Sequence, residues 1–192
     1  MAMPELVERY WTAEDLRALP EDGMRYECID GALLVTPAPR PVHQRAVVEI
    51  LCQVRPFVAA NRLGECMSSP ADVELVPGAL LQPDLFVARS HDGSRIRDWR
   101  EIAGLVLAIE VLSPSSARTD RGVKRAIYQR ARVDEYWIVD LDARLIERWR
   151  PQDTSPEILQ ETLHWTPEGA DAPLTLDLPA LFAAVLDAYG HA

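Results

Sequence analysis

The segment Leu105–Leu112 (Leu-Val-Leu-Ala-Ile-Glu-Val-Leu) constrains this chain more than any other. Apart from one glutamate it is wholly apolar, and polar stretches bound it on both sides. A short uninterrupted apolar run of this kind reads as a central β-strand covered on both faces. Strand alternation puts Glu110 on the same face as Val106, Ala108 and Leu112. A carboxylate there loses its water, so it needs a cation, a metal ion or a proton. The plain alternative is a strand-end glutamate paired with an arginine.

A second acid occupies a matching place. Pro83–Arg89 reads as a strand in which Asp84 shares a face with Phe86 and Ala88. Adjacent strands lie about 4.8 Å apart, and two carboxylates across such a gap repel each other unless a proton or divalent ion is shared. Hard oxygen donors without His or Cys select Mg²⁺ or Mn²⁺. After the Glu110 strand, Ser113-Pro114-Ser115-Ser116 leads into a helix near Thr119–Ala131. Asp120, Lys124 and Tyr128 recur every four residues and stand on one helix face, with Val123, Ile127 and Ala131 expected to pack on the sheet. Lys124 at that border can lean toward Glu110, or pair with Asp120 at the surface. The same helix concentrates positive charge in Arg118, Arg121, Lys124, Arg125, Arg130 and Arg132.

The other elements follow from periodicity and turn chemistry. Thr12 caps a short helix. Met24–Ile29 and Ala32–Thr36 flank Asp30-Gly31, a hairpin signal. Val42 to Arg62 is apolar on one side at helical spacing, with Pro56 expected to kink it or end it early. Strands are expected at Glu65–Ser69, Asp72–Val76, Glu135–Leu141, Arg144–Arg150 and near Ile158–Trp165, and a closing helix at Leu178–Tyr189. Antiparallel pieces followed by a strand–helix–strand unit over Leu105–Leu141 predict an α/β or α+β domain with one mixed sheet.

The chain has 192 residues, the size of one domain, and 20 Lys and Arg against 30 Asp and Glu give a net charge of −10. Such a field repels nucleic acid in general, so any contact with it needs a local basic patch. No apolar run approaches a membrane span, and the acidic start, Met1 to Glu8, lacks the basic lead of a signal peptide. Cys28, Cys52 and Cys66 are scattered, form no zinc signature and fit a reducing cytoplasm. No phosphate loop, dinucleotide fingerprint, serine elbow or HExxH is present, so no nucleotide cofactor is expected.

Pro83-Asp84, Ile109-Glu110-Val111-Leu112-Ser113-Pro114-Ser115-Ser116, then Asp120, Lys124 and Tyr128, then Glu135-Tyr136-Trp137-Ile138-Val139-Asp140 together resemble the Uma-two family of the PD-(D/E)XK, or restriction-endonuclease-like, superfamily. Tyr26-Glu27-Cys28-Ile29-Asp30-Gly31 and His43 are similar to its N-terminal part. The resemblance runs from about Trp11 to Trp149. It implies a single restriction-endonuclease-like domain over residues 1–192, with a core at about 11–150, a C-terminal strand and helix extension at 151–192, and a mixed central sheet flanked by helices. It also implies a metal-dependent phosphodiesterase, with Asp84 and Glu110 as ligands of Mg²⁺ or Mn²⁺ and Glu27 as a further acid. The common pattern has a lysine two residues after the second acid. Leucine stands there, at Leu112, so Lys124 is a relocated substitute that orients water or stabilises transition-state charge. Arg118, Arg121, Arg125 and Tyr128 become candidates for contacts to a DNA backbone. Two copies would pair to cut two strands. His43 reads as a capping or packing histidine and Asp140 as a turn residue. Two other readings stay open. One is an inactive nucleic-acid-binding or assembly module that keeps the fold; the other is a buried salt-bridge network without a ligand.

Overall fold

The computed structural model describes residues 9–20 and 22–187. The chain begins with α1 (Ala13–Arg17), closed by a capping box between Thr12 and Asp15. The hairpin of β1 (Arg25–Ile29) and β2 (Ala32–Thr36) turns at Asp30-Gly31, both at positive φ. Next come α2 (Pro41–Asn61), β3 (Glu65–Ser68), β4 (Val73–Val76), β5 (Ala79–Leu81), β6 (Leu85–Ser90) and β7 (Ile102–Val111). A broken helix crosses over to β8 (Glu135–Asp140), and β9 (Leu145–Trp149), β10 (Glu157–Leu159), β11 (Thr162–Trp165), β12 (Leu174–Asp177) and α5 (Leu178–Leu186) complete the described chain.

The main sheet has the order β10-β9-β8-β7-β6-β3. Its centre is β7, antiparallel to β6 and parallel to β8, as the strand–helix–strand unit predicts. Val106 to Ile109 are fully buried because both faces are covered. On one face Leu85, Val87, Leu107, Ile109, Trp137 and Val139 meet the buried stripe of α2, together with α5 and the β11–β12 hairpin. On the other, Phe86, Ala88, Ala108, Tyr136 and Ile138 meet residues of the four-stranded sheet β2-β1-β5-β4 and Ile127 and Tyr128 of the crossover helix. The described residues thus form a mixed α+β fold, with three sheets among them where one was expected.

Pro56 does not end α2, which runs on to Asn61. Pro56 and Cys52, whose carbonyl loses a partner, both face solvent, so water can take that bond. Val54 and Val58 on the opposite side stay anchored in the core. The single strand expected near Ile158–Trp165 divides in two: Glu157–Leu159 joins the main sheet, while Thr162–Trp165 leaves it to pair with β12. The expected end of the closing helix, at Tyr189, lies outside the described residues, as does the acidic start Met1 to Glu8. No described helix is long and apolar enough to cross a membrane.

The turn from α2 into β3 depends on one glycine. Gly64 has φ +137, and a Cβ there would lie 2.2 Å from the Ala88 carbonyl oxygen of β6. Gly64→Ala therefore combines backbone strain with a clash against fixed backbone. The expected result is a loss of about 2–3 kcal/mol, read as a fall in melting temperature of roughly 4–12 °C.

Candidate active site

The ends of β6 and β7 lie side by side. Leu85 is paired with Ile109, so Asp84, just before β6, falls beside the last turn of pleat in β7. The Val111 backbone N–H donates to Asp84 Oδ2 (2.8 Å), and the same oxygen meets His43 Nε2 at 3.0 Å. Its other oxygen, Oδ1, accepts from the Arg25 guanidinium at 2.7 Å. Glu110 accepts at Oε1 from Lys124 Nζ (3.0 Å) and from the Tyr128 hydroxyl (3.1 Å), leaving Oε2 without a hydrogen bond among the described residues. Glu27, on β1, faces the same point. Its Oε1 lies 2.9 Å from Lys124 Nζ and accepts from the Gln82 backbone N–H.

Lys124 reaches this point because of a defect in its helix. Between the short α3 (Ala117–Thr119) and α4 (Arg125–Arg130), Asp120–Lys124 form a single π-helical turn. The wider turn rotates Asp120 and Lys124 onto the sheet side, and both are buried. Tyr128 follows on that face, so the polar side of the helix packs inward together with Ile127 and Ala131, which join the core as expected. Val123, expected against the sheet, is 48 % exposed instead. Asp120 Oδ1 lies 3.5 Å from Lys124 Nζ, outside hydrogen-bond geometry, and has no hydrogen-bond partner among the described residues.

One ammonium therefore faces three carboxylates. Burial works against the charge of Lys124, but Glu110, Glu27 and Asp120 outweigh it and hold Lys124 protonated well above the usual lysine range. Burial also drives Glu110 well above the ordinary glutamate value; Lys124 opposes this, while Asp84, Asp120 and Glu27 reinforce it. Lys124 is shared among three acids, so Glu110 gets only part of its charge. Asp120 is raised in the same way. Asp84 behaves oppositely: burial would raise it, but the His43 hydrogen bond, the charge of Arg25 and the Val111 N–H win and hold it low.

The structure thus brings Asp84, Glu110, Lys124 and Glu27 together at one end of the central strands. Lys124 touches Glu110 directly, and Glu110 has no arginine within ion-pair distance among the described residues. The basic helix is another matter. Tyr128 is fully buried and cannot meet a nucleic-acid backbone; its hydroxyl is spent on Glu110. Arg121 is tied to Glu147 (2.6 Å) and Asp140 (2.7 Å), and Arg125 lies over the Trp149 ring and bonds Gln129. Arg118 is exposed. His43, expected to cap or pack, holds Asp84 instead. Arg25 went unnoticed in the sequence, although it stands two residues before Glu27 and so shares its face of β1. That period-two relation was the available signal.

The oxygen donors here suit a hard cation. Four acidic side chains, Glu27, Asp84, Glu110 and Asp120, stand here against the two fixed cations Arg25 and Lys124. Among the described residues no three His, Cys, Asp or Glu side chains form a ready cage. Mg²⁺ needs none, since one or two carboxylates with waters and substrate phosphate commonly complete its shell.

Comparison with known proteins places the chain. The model of the Uma2 family, described as "Putative restriction endonuclease", matches residues 13–185. No curated protein matches. Among solved structures the chain is similar to "a putative nuclease belonging to DUF820" from Anabaena variabilis, with 20% sequence identity over 92% of this chain and 99% of that one and a TM-score of 0.74. At that identity the likeness speaks to the fold.

Proposed function

The chain belongs to the Uma2 family, described as "Putative restriction endonuclease", and from that premise we propose that it is a Mg²⁺- or Mn²⁺-dependent endonuclease that hydrolyses phosphodiester bonds of DNA. The observation that supports this most is the convergence of Asp84 and Glu110 on adjacent strand ends, with Lys124 Nζ 3.0 Å from Glu110. Asp84 and Glu110 would hold the metal. Bound there, it would acidify a coordinated water and neutralise phosphate charge. Lys124 fixes the Glu110 carboxylate through Oε1, assisted by Tyr128, and so points Oε2 away from its own partners. Glu27 and Asp120 keep Lys124 charged and in place. Of the four candidates for DNA-backbone contacts, Arg118 is the one that is exposed and without an ion-pair or hydrogen-bond partner for its side chain among the described residues. A chain with three free thiols suits a reducing cytoplasm, and a pair of copies would provide one centre for each strand of a duplex.

The test is plasmid and single-stranded DNA incubated with wild type and Asp84→Asn, in Mg²⁺, in Mn²⁺ and in EDTA. Cleavage by wild type in metal should fall about a hundredfold or more in Asp84→Asn and vanish in EDTA. Equal nicking by both proteins, or none by either, would overturn the reading. One observation favours a second reading, an inactive nucleic-acid-binding or assembly module: both oxygens of Asp84 are already engaged, by Arg25, His43 and Val111. Binding of DNA without cleavage in any metal is the result that reading expects.

A further inference from the structure

Behind the β1–β2 hairpin lies a cleft of about 600 Å³, walled by Met24, Pro37, Pro39, Pro70 and Trp99. Arg25 lines it. Of the seven side chains in the ionic cluster, the other six being Glu27, His43, Asp84, Glu110, Asp120 and Lys124, Arg25 is the only one that does. Its side chain is 18% exposed, whereas those of Asp84 and Glu110 are each 2%. The acids therefore sit behind a guanidinium, and the open space in front of it is large enough for a phosphate with its hydration water.

We propose that Arg25 is an exchangeable counter-ion: it occupies Asp84 when no metal is bound and swings into the cleft when a divalent cation takes its place. This rests on the reading of Asp84 and Glu110 as a metal pair and adds the residue that controls entry to it. The partners of Asp84 differ in their freedom to leave. The Val111 N–H belongs to the backbone of a central strand and cannot move. His43 sits in the first turn of a 21-residue helix whose stripe is packed on the sheet, so its ring is held in position. Arg25 holds Asp84 Oδ1 through the tip of a long side chain, with the cleft beside it. Lys124 offers no comparable route, being enclosed by Glu27, Glu110 and Asp120.

Charge favours the exchange as well. Replacing a monovalent guanidinium at Asp84 by a divalent ion adds one positive charge beside a carboxylate that is held ionised and next to three further acids. The displaced guanidinium does not go to an apolar place. It enters the space from which a substrate phosphate would approach, and its planar fork matches phosphate oxygens. Until then it shields Asp84 from the other acids and lets the metal-free domain tolerate them.

The consequence is that wild-type metal affinity is set by competition. Titration calorimetry with Mn²⁺ on wild type, Arg25→Gln and Arg25→Lys reads it directly. Arg25→Gln should bind Mn²⁺ at least about tenfold more tightly, which is about 1.4 kcal/mol, and Arg25→Lys should fall between. The metal-free Arg25→Gln protein should melt lower than wild type, and saturating Mn²⁺ should raise its melting temperature by more than it raises the wild type's. A second readout needs no folded variant: the Arg25 Nε–Hε resonance of wild type should shift on addition of Mg²⁺ as its carboxylate partner is lost. Equal or weaker Mn²⁺ binding by Arg25→Gln, or an Arg25 resonance unmoved while Mg²⁺ binds, would overturn the exchange and leave the metal pair standing. No Mn²⁺ binding by any of the three proteins would overturn both.

Discussion

Lys124→Met should destabilise the metal-free domain by about 3–5 kcal/mol, the range observed when one partner of a buried charge group is removed. The melting temperature should fall roughly 6–20 °C. The size follows from what is left behind. Lys124 Nζ lies within 3.5 Å of Glu27, Glu110 and Asp120, and none of these has another side-chain cation at ion-pair distance among the described residues. Methionine keeps the length of the stem, so the loss is one of charge more than of packing. Adding Glu110→Gln to Lys124→Met removes one of the stranded acids and should recover part of the deficit. Denaturant unfolding of the two single variants and the double variant measures this as a coupling energy. A Lys124→Met protein within about 1 kcal/mol of wild type would mean that the acids carry protons and that the lysine compensates little.

Glu110→Gln should have the opposite effect on stability. The folded-state pKa of Glu110 is raised, burial being the main cause and the neighbouring acids adding to it. A carboxyl raised above its unfolded value of about 4.3 contributes stability that is fully present below that value. The contribution is lost as the pH climbs through the folded pKa. Above its folded pKa and without metal, ionised Glu110 is therefore a burden. In EDTA, Glu110→Gln should gain on wild type in melting temperature as the pH is raised from 5 to 8. The advantage should shrink as the pH falls and wild-type Glu110 takes up its proton. Mn²⁺ should reverse the order, because wild type gains stability by binding and the variant lacks the second carboxylate. Loss of that ligand should weaken Mn²⁺ at least as much as loss of a supporting group, about 10–100-fold. Scanning calorimetry at pH 5 and pH 8, each with EDTA and with Mn²⁺, covers all four conditions. A variant that melts below wild type at pH 8 in EDTA would show Lys124 to stabilise the charged form fully. The two forecasts together describe a cluster in which stability and metal affinity compete, as they do where a site is kept charged for function.

How much of this was legible beforehand depends on the distance over which each feature is set. The central position of Leu105–Leu112 was readable because burial on both faces demands an unbroken apolar run, and β7 is such a strand. The hairpin at Asp30-Gly31 and the parallel β7–β8 crossover were readable for similarly local reasons. The course of α2 past Pro56 was not, since it depends on which side of the helix the core happens to hold. The division of residues 158–165 between two sheets was equally hidden. A tetrapeptide cannot declare which partner strand will reach it first.

The site divides along the same line. Sequence alone determined that Glu110 stands on an apolar strand with Asp84 at the edge of another, and that Asp120, Lys124 and Tyr128 share a helix face, because side-chain direction follows from backbone period. Only the tertiary structure decided that this helix face is the buried one, that Lys124 is shared by three acids, and that Arg25 and His43 meet at Asp84 from elements 59 and 41 residues away in the chain. Helical and strand periods are properties of neighbouring residues. The pairing of buried charges is decided by which elements the packed core brings within a few ångströms, and that depends on the whole fold at once.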